Sequence, residues 1–247
     1  MSLLEARGVS VRFGGHTALH VVDLDAEAGA VTGLIGPNGA GKTTLFNAVT
    51  GLQPIDGGRV SLDGVDLHRL KPHQRARLGI ARTFQRLEVF GSLTVRENVL
   101  IGAELRRSWG HGPIDPPHDA DALVERMGLA EFAAERADTL PTGHARMVEL
   151  GRALATRPRV LLLDEPASGL SDTETETLSG VLGELASSGI AVLLVEHDVR
   201  LVMEVCTSIH VLDYGAMLAV GTPAQIRTDP KVLDAYLGTP VAGGGAG

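Results

Sequence analysis

The chain carries one cysteine, Cys206, in 247 residues. A single thiol builds no disulfide framework, which fits a reducing compartment, and Cys206 reads as a small buried hydrophobe. Basic excess is also lacking. The net charge of −8 argues against a nucleic-acid surface, where lysine and arginine would dominate, so no nucleic-acid partner is expected. No apolar run approaches the roughly 18 residues that a membrane span needs. The longest, Val160–Leu163 and Ile190–Val195, read as buried strands, so any membrane role goes through a partner. The opening MSLLEARGVS is too short and too polar for a signal peptide. No internal repeat is present. The only low-complexity stretch is the glycine-rich end, TPVAGGGAG at 239–247, expected to be a flexible tail. Apart from His197, the histidines lack metal-ligand spacing, so no structural metal is expected.

What remains is an ordinary soluble α/β composition, 44% hydrophobic and 21% charged. The length allows one large domain, or a domain with a small satellite. AVTGLI (Ala30–Ile35) is a short β-rich run followed by a glycine loop and the helical KTTLFNAVTG, which together read as strand, phosphate loop and helix. Ahead of it, GVSVRFGGHTAL and VVDLDAEAG read as short antiparallel strands punctuated by glycine. DGGRVSLDGVDL (Asp56–Leu67) alternates apolar and polar residues between Asp-Gly turns. A stretch from about Thr94 to Gly143 is richer in helix formers. Within it, GHGPIDPPHDA (Gly110–Ala120) reads as a surface loop, and the following ADALVERMGLAEFA has helical periodicity. After Gly143 the β-α pattern returns, with strands VLLLDE and IAVLLVEH between helices. Continuous apolar strands flanked by helices imply a mainly parallel sheet buried on both faces, with the middle stretch a helical insertion.

GPNGAGKTT, Gly36–Thr44, fits the spacing G-x-x-x-x-G-K-[ST]. Its nucleotide-binding candidates are Gly36, Pro37, Asn38, Gly39, Ala40, Gly41, Lys42, Thr43 and Thr44. Glycines let successive backbone N–H groups turn inward around a phosphate, and the helix that follows adds positive potential. Lys42 would reach the β- and γ-phosphates of ATP, and the Thr43 hydroxyl would hold Mg²⁺. VLLLDEP, Val160–Pro166, ends a buried strand in Asp164, at the sheet edge where α/β proteins bind ligands. Asp164 can hold Mg²⁺, and Glu165 is then placed to polarise an attacking water. Alone, such an Asp-Glu ending is as often a strand cap; the upstream phosphate loop favours the catalytic reading. His197 follows the next buried strand. Taken singly it is a structural hydrogen-bonding residue, but beside Asp164 it could contact the γ-phosphate and the lytic water. Gln85 would serve as a neutral oxygen ligand to Mg²⁺ on a mobile loop. Phe13 could stack on an adenine, or simply be an exposed strand-end residue.

Taken in chain order, as Phe13, Gly36–Thr44, Gln85, Leu140–His144, Val160–Glu165 and His197, the set resembles, over about Leu4 to Gly238, the nucleotide-binding subunits of ABC transporters. RTFQRLEVFGSLTVRENVLIGA and the ending GTPAQIRTDPKVLDAYLG are similar to those of the branched-chain (hydrophobic) amino acid importers. The resemblance implies a single domain over 1–238, with a P-loop core at about 1–93 and 144–238, an N-terminal antiparallel β subdomain and a helical insertion at about 94–143. It implies an ATPase at the cytoplasmic face of a membrane, bound to permease subunits and served by a solute-binding protein. It also implies a head-to-tail pair of ATPases, each closing the other's nucleotide site with a signature, usually L-S-G-G-Q.

Here the aligned residues are Leu140, Pro141, Thr142, Gly143 and His144. Proline has neither hydroxyl nor N–H and cannot replace the serine. Gly143 can still offer its N–H to a phosphate, Thr142 supplies a hydroxyl one residue late, and His144 could donate. A lost hydrogen bond to a charged group is worth about 1.5–3 kcal/mol, or about ten- to a hundredfold in rate. The favoured expectation is a heterodimer, in which this subunit keeps its own hydrolytic parts but lends its partner a weakened lid; the alternative is a symmetric homodimer in which the variant signature works as it stands. The family's aspartate after the acidic strand is also displaced, with Ser171 in its position and Asp172 next. The competing readings are a soluble ABC ATPase acting on ribosomes or DNA, and a regulatory module that holds ATP without splitting it.

Overall fold

The computed structural model describes residues 2–110 and 115–237; the glycine-rich tail and part of the proline-containing loop expected at 110–120 lie outside them. Within the described residues ten strands form two sheets. The first is antiparallel, in the order β2-β1-β4-β5, from β1 (Ser2–Phe13), β2 (His16–Glu27), β4 (Gly57–Leu62) and β5 (Val65–Asp66). The second has six strands in the order β10-β9-β3-β8-β7-β6: β3 (Val31–Ile35), β6 (Ile80–Arg82), β7 (Val160–Asp164), β8 (Ala191–Val195), β9 (Ser208–Asp213) and β10 (Ala216–Gly221). All its neighbouring pairs are parallel except β9 with β10.

The apolar runs have a physical reason. Successive strand residues face opposite sides, and here both sides are covered. In β7, Leu161 and Leu163 enter one core while Val160 and Leu162 enter another. In β8, Val192 and Leu194 face the first core, and Ala191, Leu193 and Val195 the second. One core lies between the sheet and a helical layer; the other holds α1 (Lys42–Thr50), through Leu45, Phe46 and Val49, with the inner face of the antiparallel sheet. Fully burying each leucine is worth about 1.5–3 kcal/mol. A polar residue at any of these strand positions would forfeit that on whichever face it landed.

Three expectations change. The N-terminal strands are long, twelve residues each, because Gly8, at φ +60°, bends β1 at a register shift without ending it. The chain turns at Gly14 and Gly15, between β1 and β2, and again at Gly29 after β2. Half of the proline stretch is helix: α4 (Pro116–Arg126) starts with proline in its first turn behind Asp115, whose side chain accepts from His118 N–H. Proline costs nothing there, since that N–H has no partner within the helix. Finally, the end of the insertion expected at Gly143 falls inside α5 (Thr142–Ala155), whose Val148 and Leu150 share a core with Val95 and Val99 of α3 (Val95–Ser108).

Candidate nucleotide site

Because β3, β6, β7 and β8 run parallel, their C-terminal ends share one rim. From it emerge the glycine loop, the Gln85 loop, Asp164–Glu165 and Glu196–His197.

The loop is pressed against backbone on its inner side. Gly36 has φ +147°, and a Cβ there would lie 1.9 Å from Leu212 O. Gly41, at φ +106°, would bring one to 2.8 Å from Ala18 O. Neither position has room for a side chain, so glycine is required. Ala40 is buried and closes the turn by donating its N–H to Pro37 O at 3.2 Å. Lys42 Nζ, at the start of α1, donates to Gly36 O (2.7 Å) and Pro37 O (3.0 Å). Burial holds its pKa below the usual lysine value, and the charges of Glu165 and Asp164 oppose that shift. The ammonium is therefore poised between its own loop and the acidic strand tip.

A cavity of about 340 Å³ opens here, lined by Phe13, Asn38, Gly39, Gly41, Lys42, Thr43, Thr44, Gln85 and Glu165. Nine of the sequence candidates thus meet at one opening. A larger cavity of about 460 Å³, beside His118 and Arg157, contains none of them, so size alone does not locate the chemistry. Phe13 is 51% exposed at the end of β1, accessible to a stacking ring.

Glu165 has φ +49°, a conformation non-glycine residues seldom adopt and one that clusters at functional sites. Its N–H is tied to Val195 O at 2.8 Å. Its Oε2 accepts from Gln85 Nε2 at 2.9 Å and lies 3.9 Å from His197 Nδ1. His197, 66% exposed, is free to reach a ligand. Asp164 sits behind this front, 3% exposed, with Oδ2 accepting from Arg82 Nη2 at 2.8 Å.

Two features have no counterpart in the sequence reading. Glu196 is 1% exposed, and its carboxylate accepts the N–H groups of Ala167 (2.7 Å), His197 (3.0 Å) and Asp198 (3.3 Å). It ties the loop after Glu165 to the loop of His197. Burial raises its pKa while the peptide donors pull the other way. The visible signal was a carboxylate directly after a fully apolar strand. Likewise Arg146 of α5 donates to the carbonyls of Phe84 (3.0 Å) and Gln85 (2.6 Å), while its ion-pair partner Glu149 accepts from Phe84 N–H at 3.4 Å. The helix that follows Pro141 therefore grips the Gln85 loop.

Gly143 does not line the cavity. It lies in the first turn of α5, where a Cβ would fall 1.9 Å from Glu174 Oε1. Pro141 is the N-cap residue and offers no side-chain acceptor. His144 packs its ring on Phe132, with centroids 4.5 Å apart, and its buried Nδ1 has no partner. The signature thus faces Glu174 and Phe132 rather than this subunit's own site.

Residues 19–168 match the family model described as ABC transporter, and residues 216–242 match that of the branched-chain amino acid ATP-binding cassette transporter. The high-affinity branched-chain amino acid transport ATP-binding protein BraF of Pseudomonas aeruginosa is 42% identical, covering 96% of this chain and 98% of its own. The corresponding protein LivG of Escherichia coli K12 is 41% identical at the same coverage. Among solved structures, an ATP-binding cassette of an ABC transporter in its ADP conformation superposes with a TM-score of 0.86 at 31% identity, covering 97% of this chain and all of that one.

Proposed function

The chain belongs to the ATP-binding subunits of ABC transporters, and from that premise we propose that it hydrolyses ATP to drive import of branched-chain or related hydrophobic amino acids through a partner permease. The observation that carries the proposal is the meeting of Lys42, Gln85 and Glu165 at one cavity, with His197 beside Glu165. No helix among the described residues is long and apolar enough to cross a membrane. In this reading the subunit would sit peripherally, on the cytoplasmic face of its permease. A solute-binding protein would deliver the solute from the other side.

The donor set suits a hard divalent cation, since the Thr43 hydroxyl, Asp164 carboxylate and Gln85 amide offer only oxygen. These residues would hold Mg²⁺, whose charge offsets that of the β- and γ-phosphates when bound. The chain's own residues do the rest. Lys42 exchanges its two loop carbonyls for phosphate oxygens. Glu165 orients the attacking water and takes its proton, and His197, whose Nδ1 lies 3.9 Å from Glu165 Oε2, holds the same water and phosphate. Gln85 Nε2 donates to Glu165, while its amide oxygen is the atom that would hold the ion, so one side chain links the cation's place to the proposed base.

The signature supports a heterodimer. Pro141 brings no hydroxyl and His144 is turned onto Phe132, so the lid this chain offers its partner is weak. A sister ATPase with a serine signature would complete this chain's own site. The experiment is ATP turnover by the purified chain, alone and mixed with the second ATPase, followed by leucine uptake into vesicles holding the permease. Turnover that rises at least tenfold on mixing, with uptake, supports the proposal. Cooperative turnover at full rate by the chain alone removes the heterodimer, and absence of uptake removes the importer.

A further inference from the structure

Arg82 stands buried behind the cavity, beside Asp164, without belonging to any phosphate-binding motif. It ends β6, the strand next to β7, so its side chain reaches the carboxylate at the tip of β7. Nη2 donates to Asp164 Oδ2 at 2.8 Å, with the two side chains 6% and 4% exposed. Nη1 donates to Asn47 Oδ1 at 2.5 Å, on the helix that follows the phosphate loop. The guanidinium lies over two rings, Phe46 at 5.4 Å and Phe84 at 4.9 Å. One planar group thus joins the helix of the glycine loop, the acidic strand tip and the residue just before Gln85.

Stability alone is a poor reason for this arrangement. A buried ion pair is often no better than apolar residues of similar volume, and Arg82 Nε is left buried with no partner. Among the described residues, no donor contacts Asp164 Oδ1. The fork therefore takes one carboxylate oxygen and leaves the other for a ligand. From this we infer that Arg82 is the positioning residue for the metal-binding carboxylate, holding Asp164 so that Oδ1 is presented to the cation that accompanies the nucleotide. The inference rests on the nucleotide-binding reading of the site. Phe84 stacks on the same guanidinium, so the carboxylate and the Gln85 loop share one anchor.

The test uses the full chain saturated with ADP and titrated with Mn²⁺, following free Mn²⁺ by electron paramagnetic resonance. ADP affinity is measured separately in EDTA. Arg82→Met keeps length and ring packing but removes the fork; Arg82→Lys keeps the charge but not the two-point grip. Loss of an outer-shell partner weakens metal binding about 10- to 100-fold. The expected result is a loss of that size in Arg82→Met, about tenfold in Arg82→Lys, and unchanged metal-free ADP affinity in both. If Arg82→Met does not fold, Arg82→Lys decides alone. Mn²⁺ affinity within twofold of the parent overturns the inference. So does tighter binding in Arg82→Met with no change in Arg82→Lys, which would mean that the guanidinium only repels the ion. Failure of the parent to bind ADP would instead strike at the nucleotide reading itself.

Discussion

Replacing Glu165 by glutamine isolates the proposed base. The change keeps the shape, and the new amide can still offer an oxygen to Gln85 Nε2, which now donates to Glu165 at 2.9 Å. The left-handed backbone at φ +49° and its N–H bond to Val195 are untouched. Only the negative charge and the proton acceptor disappear. A positioned general base contributes about 10²–10⁴ in rate, equal to about 2.7–5.4 kcal/mol of barrier. The same charge opposes the incoming polyphosphate. At roughly 6–8 Å and an effective dielectric near 20 that repulsion is about 2–3 kcal/mol before screening. The Glu165 side chain is 19% exposed, which reduces the repulsion to about 1 kcal/mol. Glu165→Gln should therefore bind ATP as tightly as the parent or up to about fivefold tighter, and stall in the closed, ATP-bound pair. Single-turnover hydrolysis and calorimetric titration of ATP on the same preparation measure both quantities. Hydrolysis within threefold of the parent would remove Glu165 from the role of base. Affinity reduced more than tenfold would show that its part is to hold the nucleotide.

Other consequences follow from the same coordinates. Pro141→Ser gives α5 the side-chain cap it lacks, so about 1 kcal/mol of stability, or about 2–4 °C in Tm, should be gained on thermal melting. Turnover of the assembled pair should rise about tenfold if the missing hydroxyl weakens the lid; an unchanged rate would show that the variant signature works as it stands. His210 is 4% exposed on β9, and burial holds its imidazole pKa below the ordinary 6.5. The unfolded chain then binds a proton that the native state refuses. This contribution is complete above pH 6.5 and is lost as pH falls below it, by at most about 1.4 kcal/mol per pH unit. Urea unfolding of His210→Leu across that range should show a shallower acid loss than the parent; equal slopes would contradict the assignment. Burial pushes the Cys206 thiol up to about 12, so a thiol reagent at pH 8 should label it only at the rate of unfolding, and labelling at the rate of a free cysteine would refute its burial.

The glycine loop was legible because its chemistry is local. Gly36 and Gly41 sit where backbone crowds them, and the residue types alone announce that crowding. The strands of the central sheet were legible because β7 and β8 are apolar on both faces, which leaves few alternatives. The unread parts depend on contacts between distant segments. Arg82 meets Asp164 only because β6 lies beside β7, and Glu196 binds Ala167 only because β8 lies on the other side. Neither neighbour relation is written in the spacing. The hairpin of β9 and β10 was overlooked because Tyr214 and Gly215, at φ +43° and +77°, form a two-residue turn of positive φ without the usual asparagine or aspartate. Proline misled at Pro116, where it opens a helix instead of breaking one.

The account stands on Lys42 and Asp164 serving one phosphate–metal unit, and a double-mutant cycle measures that directly. ATP affinity in the presence of Mg²⁺ is determined by calorimetry for the parent, Lys42→Met, Asp164→Asn and the double variant. Shared action on one ligand predicts a coupling energy of at least about 1 kcal/mol between the two sites. Losses that add to within about 0.5 kcal/mol would mean that the two side chains act on the nucleotide independently, and the convergence proposed for this rim would be wrong.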